Sequence, residues 1–211
     1  MNKNTKIIKL NDPKLFEITT SVLESGGVII YPTETLYGIG ALATDTDAIN
    51  EIFRVKERLR GKPFILLVKD FEMLEEYFRV PDIVSKNSEK FISAPLTILF
   101  NQKKDLPPEI SAGSDKTGIR ISTNKFVKEL FNHIDVPLIS TSANMSGEEN
   151  TYSSEEIISL FNNKVDLIVD SGNLPHSNGS SIIDITTSPP VLLREGDIKK
   201  EDLKEFLSGD N

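Results

Sequence analysis

Short apolar runs alternate along the chain with segments in which apolar residues recur every three to four positions. These two periodicities assign strands and helices respectively. Residues 5–9 are short and β-branched and predict a strand. Asp12-Pro13 predicts an N-cap followed by proline at the first helical position. Leu15, Ile18, Thr19 and Val22 then share one helical face, and Gly26-Gly27 ends the helix. Residues 28–31 and 64–68 read as buried strands, with a helix over 45–55 between them that turns Ala48, Ile49, Ile52 and Phe53 inward. Further strands are expected over 96–100, 118–121, 136–140, 165–169, 181–185 and 191–193, and further helices over 71–78, 83–91, 125–132, 153–161 and 201–207. Ser153 with Glu156 suggests a capping box. Many short strands mixed with helices predict an α/β domain with a mixed sheet. The longest polar irregular stretch is 171–179, and long loops in compact domains are often functional.

Composition narrows the function classes. The chain has 211 residues, which suits one domain or two small ones; no repeat or linker divides it, so 1–211 reads as one domain. No cysteine is present, which excludes a disulfide framework, a thiolate metal site and a cysteine nucleophile. Two histidines, His133 and His176, are too few for a multi-histidine metal cage. A net charge of −8 argues against broad nucleic-acid binding. No apolar run approaches the ~20 residues of a membrane span, and the first ten residues hold no apolar signal core. A cytoplasmic protein is the resulting expectation.

Six segments hold candidate chemistry. In residues 31–41, Tyr-Pro-Thr-Glu-Thr-Leu-Tyr-Gly-Ile-Gly-Ala, Pro32 ends a strand by withholding a ladder donor. Thr33, Glu34 and Thr35 then stand where α/β sheets commonly bind ligands, although a plain polar turn would look the same. Gly38-Ile39-Gly40 matches a dinucleotide fingerprint only superficially, because it does not directly follow the strand. Residues 54–62 carry five cations, Arg54, Lys56, Arg58, Arg60 and Lys62, against one acid, Glu57. Cations converging near a strand end suit a polyanion such as a triphosphate; a solvated face is the alternative. Arg120 interrupts an apolar strand and either emerges into solvent or clamps a carboxylate. Residues 137–147 run from a strand into the hydroxyls of Ser140, Thr141, Ser142 and Ser146 and the amide of Asn144. Residues 178–184, Asn-Gly-Ser-Ser-Ile-Ile-Asp, open a strand with a glycine and two hydroxyls, and Arg194 leaves another. There is no Walker A loop, no GxSxG elbow and no HExxH helix. The set suits binding and positioning of anions more than proton shuttling.

Together and in this order the segments resemble the YrdC-like family of threonylcarbamoyl-AMP synthases. The residues that carry the resemblance are Pro32 to Gly38, Lys56-Glu57-Arg58 with Pro63, Gly118-Ile119-Arg120, Ser142-Ala143-Asn144 with Ser146-Gly147, Ser180 to Asp184, and Leu193 to Gly196. It spans about residues 8–207. It implies a twisted mixed sheet with flanking helices around a deep, positively lined cavity, in the short single-domain form. The activity implied joins L-threonine, bicarbonate and ATP into threonylcarbamoyl-AMP and releases pyrophosphate. That product would pass to the machinery that makes N6-threonylcarbamoyladenosine at position 37 of tRNA, without stable direct nucleic-acid binding by this chain.

By the resemblance, Lys56, Arg58, Ser142 and Asn144 would be catalytic. Thr35, Arg120, Ser142 and Ser180 would bind threonine, and Lys56, Arg58, Lys62, Lys116, Asn144 and Arg194 would bind ATP. Mg2+ would accompany ATP without protein side-chain ligands. The chain departs from the pattern at Leu59, Leu67, Ser122 and Ser181, where the family often has proline, in some members histidine, proline and threonine respectively. Two other readings are an RNA-binding module and a carbamoyl-adenylate-forming domain acting on a different acceptor.

Overall fold

The computed structural model describes residues 3–207. Ten strands form one twisted mixed sheet: β1 (Lys6–Lys9), β2 (Ile29–Pro32), β3 (Tyr37–Gly40), β4 (Ile65–Val68), β5 (Leu96–Asn101), β6 (Lys116–Ile121), β7 (Leu138–Ser142), β8 (Leu167–Asp170), β9 (Ser181–Asp184) and β10 (Val191–Arg194). The spatial order is β1-β8-β2-β3-β7-β4-β6-β5-β9-β10. Pairs β1–β8, β2–β8, β4–β6 and β5–β9 are parallel; the others are antiparallel. Every residue of β2 and of β3 is buried, so helices and loops must cover both faces of the sheet there.

Around the sheet lie α1 (Leu15–Glu24), α2 (Thr46–Lys56), α3 (Phe71–Tyr77), α4 (Asp82–Lys86), α5 (Ser88–Ser93), α6 (Lys125–Leu130), α7 (Ser154–Phe161) and α8 (Lys204–Leu207), the last preceded by a 3-10 turn over Lys200–Leu203. Their starts follow from caps. Asp45 accepts the Ala48 amide at 2.9 Å, Asp70 the Met73 amide at 2.9 Å and Ser153 the Glu156 amide at 3.3 Å. As expected, α2 turns Ala48, Ile49, Ile52 and Phe53 inward.

Four local features differ from the sequence expectation. The Asp12 carboxylate accepts the Lys14 amide at 2.8 Å and closes a turn, so α1 starts only at Leu15. The segment 83–91 is two helices. Asn87 donates its side-chain amide to the Ile83 carbonyl at 2.8 Å and ends α4 there, as competing asparagine side chains do. β7 begins and ends two residues later than expected, which makes Thr141 and Ser142 strand residues. β3 was not foreseen at all: Gly38 and Gly40 weaken the strand signal. Gly40 is there because a Cβ would sit 2.0 Å from the Ile139 carbonyl oxygen of β7.

Candidate active site

The centre of the sheet borders a half-open cavity of about 440 Å³. Its wall takes Thr33, Thr35 and Tyr37 from the β2–β3 turn and β3, and Arg58 and Phe64 from the loop after α2. Thr97 of β5, Lys116, Gly118 and Arg120 of β6, and Ser140 to Ser142 of β7 add to it. Asn178 to Ser180 and Arg194 complete the same wall. Four cations line it (Arg58, Lys116, Arg120 and Arg194) and no carboxylate does.

The β2–β3 connection is a hairpin with a four-residue turn, Thr33 to Leu36, flanked by the Pro32–Tyr37 pair. Thr33 holds the turn: its hydroxyl donates to the Leu36 carbonyl at 2.7 Å and lies 3.1 Å from the Thr35 hydroxyl. Thr35 is thereby presented to Arg120, whose Nη1 donates to Thr35 Oγ1 at 3.1 Å. Arg120 is buried at 5% exposure and therefore does not emerge into solvent.

The Lys56-Glu57-Arg58 triplet divides at Glu57, which closes α2 in the left-handed conformation at φ 51°. Lys56 and Arg58 consequently diverge. Lys56 is 1% exposed and runs beneath the end of β7. Its ammonium donates to the Ser142 carbonyl, to the Asn144 carbonyl at 2.7 Å and to Asn144 Oδ1 at 3.3 Å. The Ser142 hydroxyl donates to the same Oδ1 at 2.6 Å. Burial, with a smaller contribution from the Arg58 charge, lowers the Lys56 pKa to about 7. Arg58 instead turns onto the cavity wall, where Nη2 donates to the Pro63 carbonyl at 2.7 Å and the guanidinium lies 4.9 Å over the Phe64 ring.

On the opposite wall, Ser180 Oγ lies 2.8 Å from Thr97 Oγ1. Arg194 donates twice to the Ser180 carbonyl, at 2.7 and 3.1 Å, and once to its hydroxyl at 3.2 Å. Burial first and the Arg120 charge second lower the Arg194 pKa, yet a guanidinium keeps its charge. Ser181 faces away from this group. It donates to the Ile198 carbonyl at 2.6 Å and accepts the Gly196 amide at 2.9 Å, pinning the chain that follows β10. Lys116 pairs with Asp184 at 3.2 Å.

The fold thus gathers Thr35, Arg58, Lys116, Arg120, Ser142, Ser180 and Arg194 on one cavity. It does not bring Lys62 there: that residue is exposed and off the wall. Lys56 and Asn144 stand behind the wall and touch it through Ser142. The solvated-face alternative therefore fails for Lys56 and holds for Lys62. Leu67, where some family members have histidine, is buried in β4 and off the wall; Leu59 is 68% exposed. Asn178 and Glu34, both within segments expected to carry chemistry, join the site or its support, and Thr97 joins it from a strand in which no site residue was expected. The signal for Thr97 was a hydroxyl inside an otherwise apolar strand. Among the described residues no group of three or more His, Cys, Asp or Glu could hold a metal ion, and no helix is long and apolar enough to cross a membrane.

The Sua5/YciO/YrdC family model, described as "Telomere recombination", matches residues 21–196. A Methanocaldococcus jannaschii protein provisionally named a threonylcarbamoyl-AMP synthase is 35% identical over 198 residues, covering 92% of this chain and 93% of that protein. A threonylcarbamoyl-AMP synthase of Pyrococcus abyssi is 30% identical over 191 residues, 90% of this chain and 56% of its own length. The crystal structure of Pyrococcus abyssi Sua5 complexed with L-threonine superposes with a TM-score of 0.89 at 28% identity, over 97% of this chain and 61% of that one. The chain therefore spans nearly all of the first protein but less than two thirds of the other two.

Proposed function

The chain belongs to the Sua5/YciO/YrdC family, and from that membership and the cavity we propose that it is a nucleotidyltransferase that makes threonylcarbamoyl-AMP from L-threonine, bicarbonate and ATP. The observation that carries the reading is a cavity lined by four cations and several hydroxyls with no acid on its wall. All the reacting species are anions or carry anionic groups, so their mutual repulsion is the main barrier to assembly. Cations held in place within a site partly closed to water offset that repulsion.

In this reading Arg120 takes the threonine carboxylate through its planar fork, beside Thr35. The Ser180–Thr97 pair offers hydroxyls to the rest of the amino acid. The threonine amine and bicarbonate form a carbamate with loss of water. A carbamate oxygen then attacks the α-phosphorus of ATP, and pyrophosphate leaves. Arg58, Lys116 and Arg194 hold the phosphates and the charge that grows on the departing pyrophosphate. Lys56, bonded to two β7-end carbonyls, fixes Ser142 and Asn144 at the edge of the reacting centre. Mg2+, bound with ATP, would offset phosphate charge. With no carboxylate on the wall, nucleotide oxygens and water would hold the ion rather than this chain. The product would pass to the tRNA threonylcarbamoyl-transfer machinery, in the cytoplasm where ATP and tRNA meet.

The test is pyrophosphate release with threonine, bicarbonate and ATP each omitted in turn. Release is expected only with all three. Equal release without threonine would mean a different acceptor or simple nucleotide hydrolysis, and would overturn the reading.

A further inference from the structure

Glu34 sits in the β2–β3 turn, off the cavity wall. Its Oε1 lies 3.4 Å from Arg120 Nε, with the two side chains only 14% and 6% exposed. Neither of these two atoms has a hydrogen-bond partner, so each meets chiefly the charge of the other. The second carboxylate oxygen, Oε2, accepts the hydroxyl of Ser122. Ser122 in turn accepts the Asn124 amide at 3.2 Å, which leaves its single O–H for Glu34. Arg120 lies in β6 and Ser122 one residue past its end, and both side chains meet the same Glu34 carboxylate. A proline at position 122 would have no hydroxyl and could not make this link.

A guanidinium presents more donors than one carboxylate can use, and which edge faces the ligand decides whether the pair is bidentate. Arg120 also shares its cavity with three other cations, which repel it. Glu34 opposes that repulsion and occupies the Nε side, while Nη1 is held at Thr35. We propose that Glu34, held by Ser122, is the positioning residue of the carboxylate clamp: it aims the Nη edge of Arg120 at the carboxylate of the amino-acid substrate. The proposal rests on the reading that Arg120 binds the threonine carboxylate.

The experiment compares binding of L-threonine, L-threoninamide and ATP to wild type, Glu34→Gln, Ser122→Ala and Ser122→Thr by calorimetry, with thermal melts alongside. Wild type prefers threonine to its amide. Glu34→Gln weakens threonine by about tenfold, the scale of one charge-assisted hydrogen bond, and narrows the preference over the amide. ATP affinity stays within about twofold, because the interactions that hold the nucleotide are untouched. Ser122→Ala weakens threonine by about threefold, as loss of one neutral donor does, and Ser122→Thr restores it. Removing half of a buried ion pair can unfold a protein; should Glu34→Gln do so, the two Ser122 variants decide alone. Equal weakening of threonine, threoninamide and ATP, or wild-type threonine affinity in Ser122→Ala, overturns the positioning role. A wild type that binds the amide as well as threonine removes the Arg120 reading itself, and the proposal with it.

Discussion

Ser180 and Ser181 are adjacent, both buried, and do opposite things. The Ser180 hydroxyl meets Thr97 and Arg194 at the cavity, while that of Ser181 joins the Ile198 carbonyl to the Gly196 amide. Ser180→Ala is therefore expected to cut threonine-dependent turnover by about tenfold or more, since it removes a substrate-facing hydrogen bond. Its drop in melting temperature should be smaller than that of Ser181→Ala, because the groups it frees, on Thr97 and Arg194, line the cavity and can be hydrated. Ser181→Ala leaves the buried Gly196 amide and the half-buried Ile198 carbonyl unpaired and should cost about 1–3 kcal/mol, a drop in Tm of roughly 2–4 °C per kcal/mol for a chain of this size. Initial rates and thermal melts on both variants check this, and the reverse pattern would sink the assignment of faces. Arg120 was only half legible in the sequence: an arginine inside an apolar strand stands out, but periodicity does not decide between a solvated face and a carboxylate clamp, and only the fold shows it buried. Lys56 was not legible in the same way. A run of alternating cations reads as one basic cluster, and only the left-handed residue Glu57 separates a buried lysine from a cavity-facing arginine. Periodicity carries no signal for a single backbone reversal of that kind.

Between elements, the close approach of the chain just after β10 to the residues just before β9 is what sets Arg194. A Cβ on Gly196 would lie 2.2 Å from the Gly179 carbonyl oxygen and 2.6 Å from the Ser180 carbonyl carbon, both of them backbone. Gly196→Ala must open this contact and shift Arg194 off Ser180. The expected outcome is a loss of about 1–3 kcal/mol, as for other overpacked sites, together with weaker ATP binding. Gly61→Ala is the control, because nothing lies within 4 Å of its Cβ position; surface changes of that kind usually stay within about 0.5 kcal/mol. If melts and nucleotide titrations show the two variants behaving alike, the close approach is not what places Arg194. The same strand pairs show where element prediction succeeds and stops. β4 is a continuous apolar run and β5 and β8 are largely apolar ones, and their positions were readable to within a few residues. β3 was not, because two of its four residues are glycines required by contacts with Tyr31 of β2 and with β7, the latter distant in sequence. The sheet order could not be read locally either: β7 lies between β3 and β4, and β8 between β1 and β2.

Across the whole molecule, charge is segregated. The chain carries a net charge of −8, yet four cations converge on a cavity of about 440 Å³ whose wall has no acid. A surface negative overall repels a long polyanion, whereas a recessed cavity lined by cations accepts a small one. Nucleic-acid binding depends on many phosphate contacts spread over an open surface and weakens steeply as salt displaces it. Here Arg54 of the exposed basic segment is already paired with Glu51, which leaves little of the cluster for such a surface. ATP should therefore bind in the cavity, pyrophosphate should compete with it, and transfer RNA at the same phosphate concentration should not. Displacement of a fluorescent ATP analogue by each competitor, from low to physiological salt, measures all three. The RNA-binding alternative makes the opposite prediction: transfer RNA displaces the analogue at micromolar concentration, with an affinity that falls linearly with the logarithm of salt. That result would mean the cavity is one end of an extended phosphate track, and the mononucleotide reading would have to be given up.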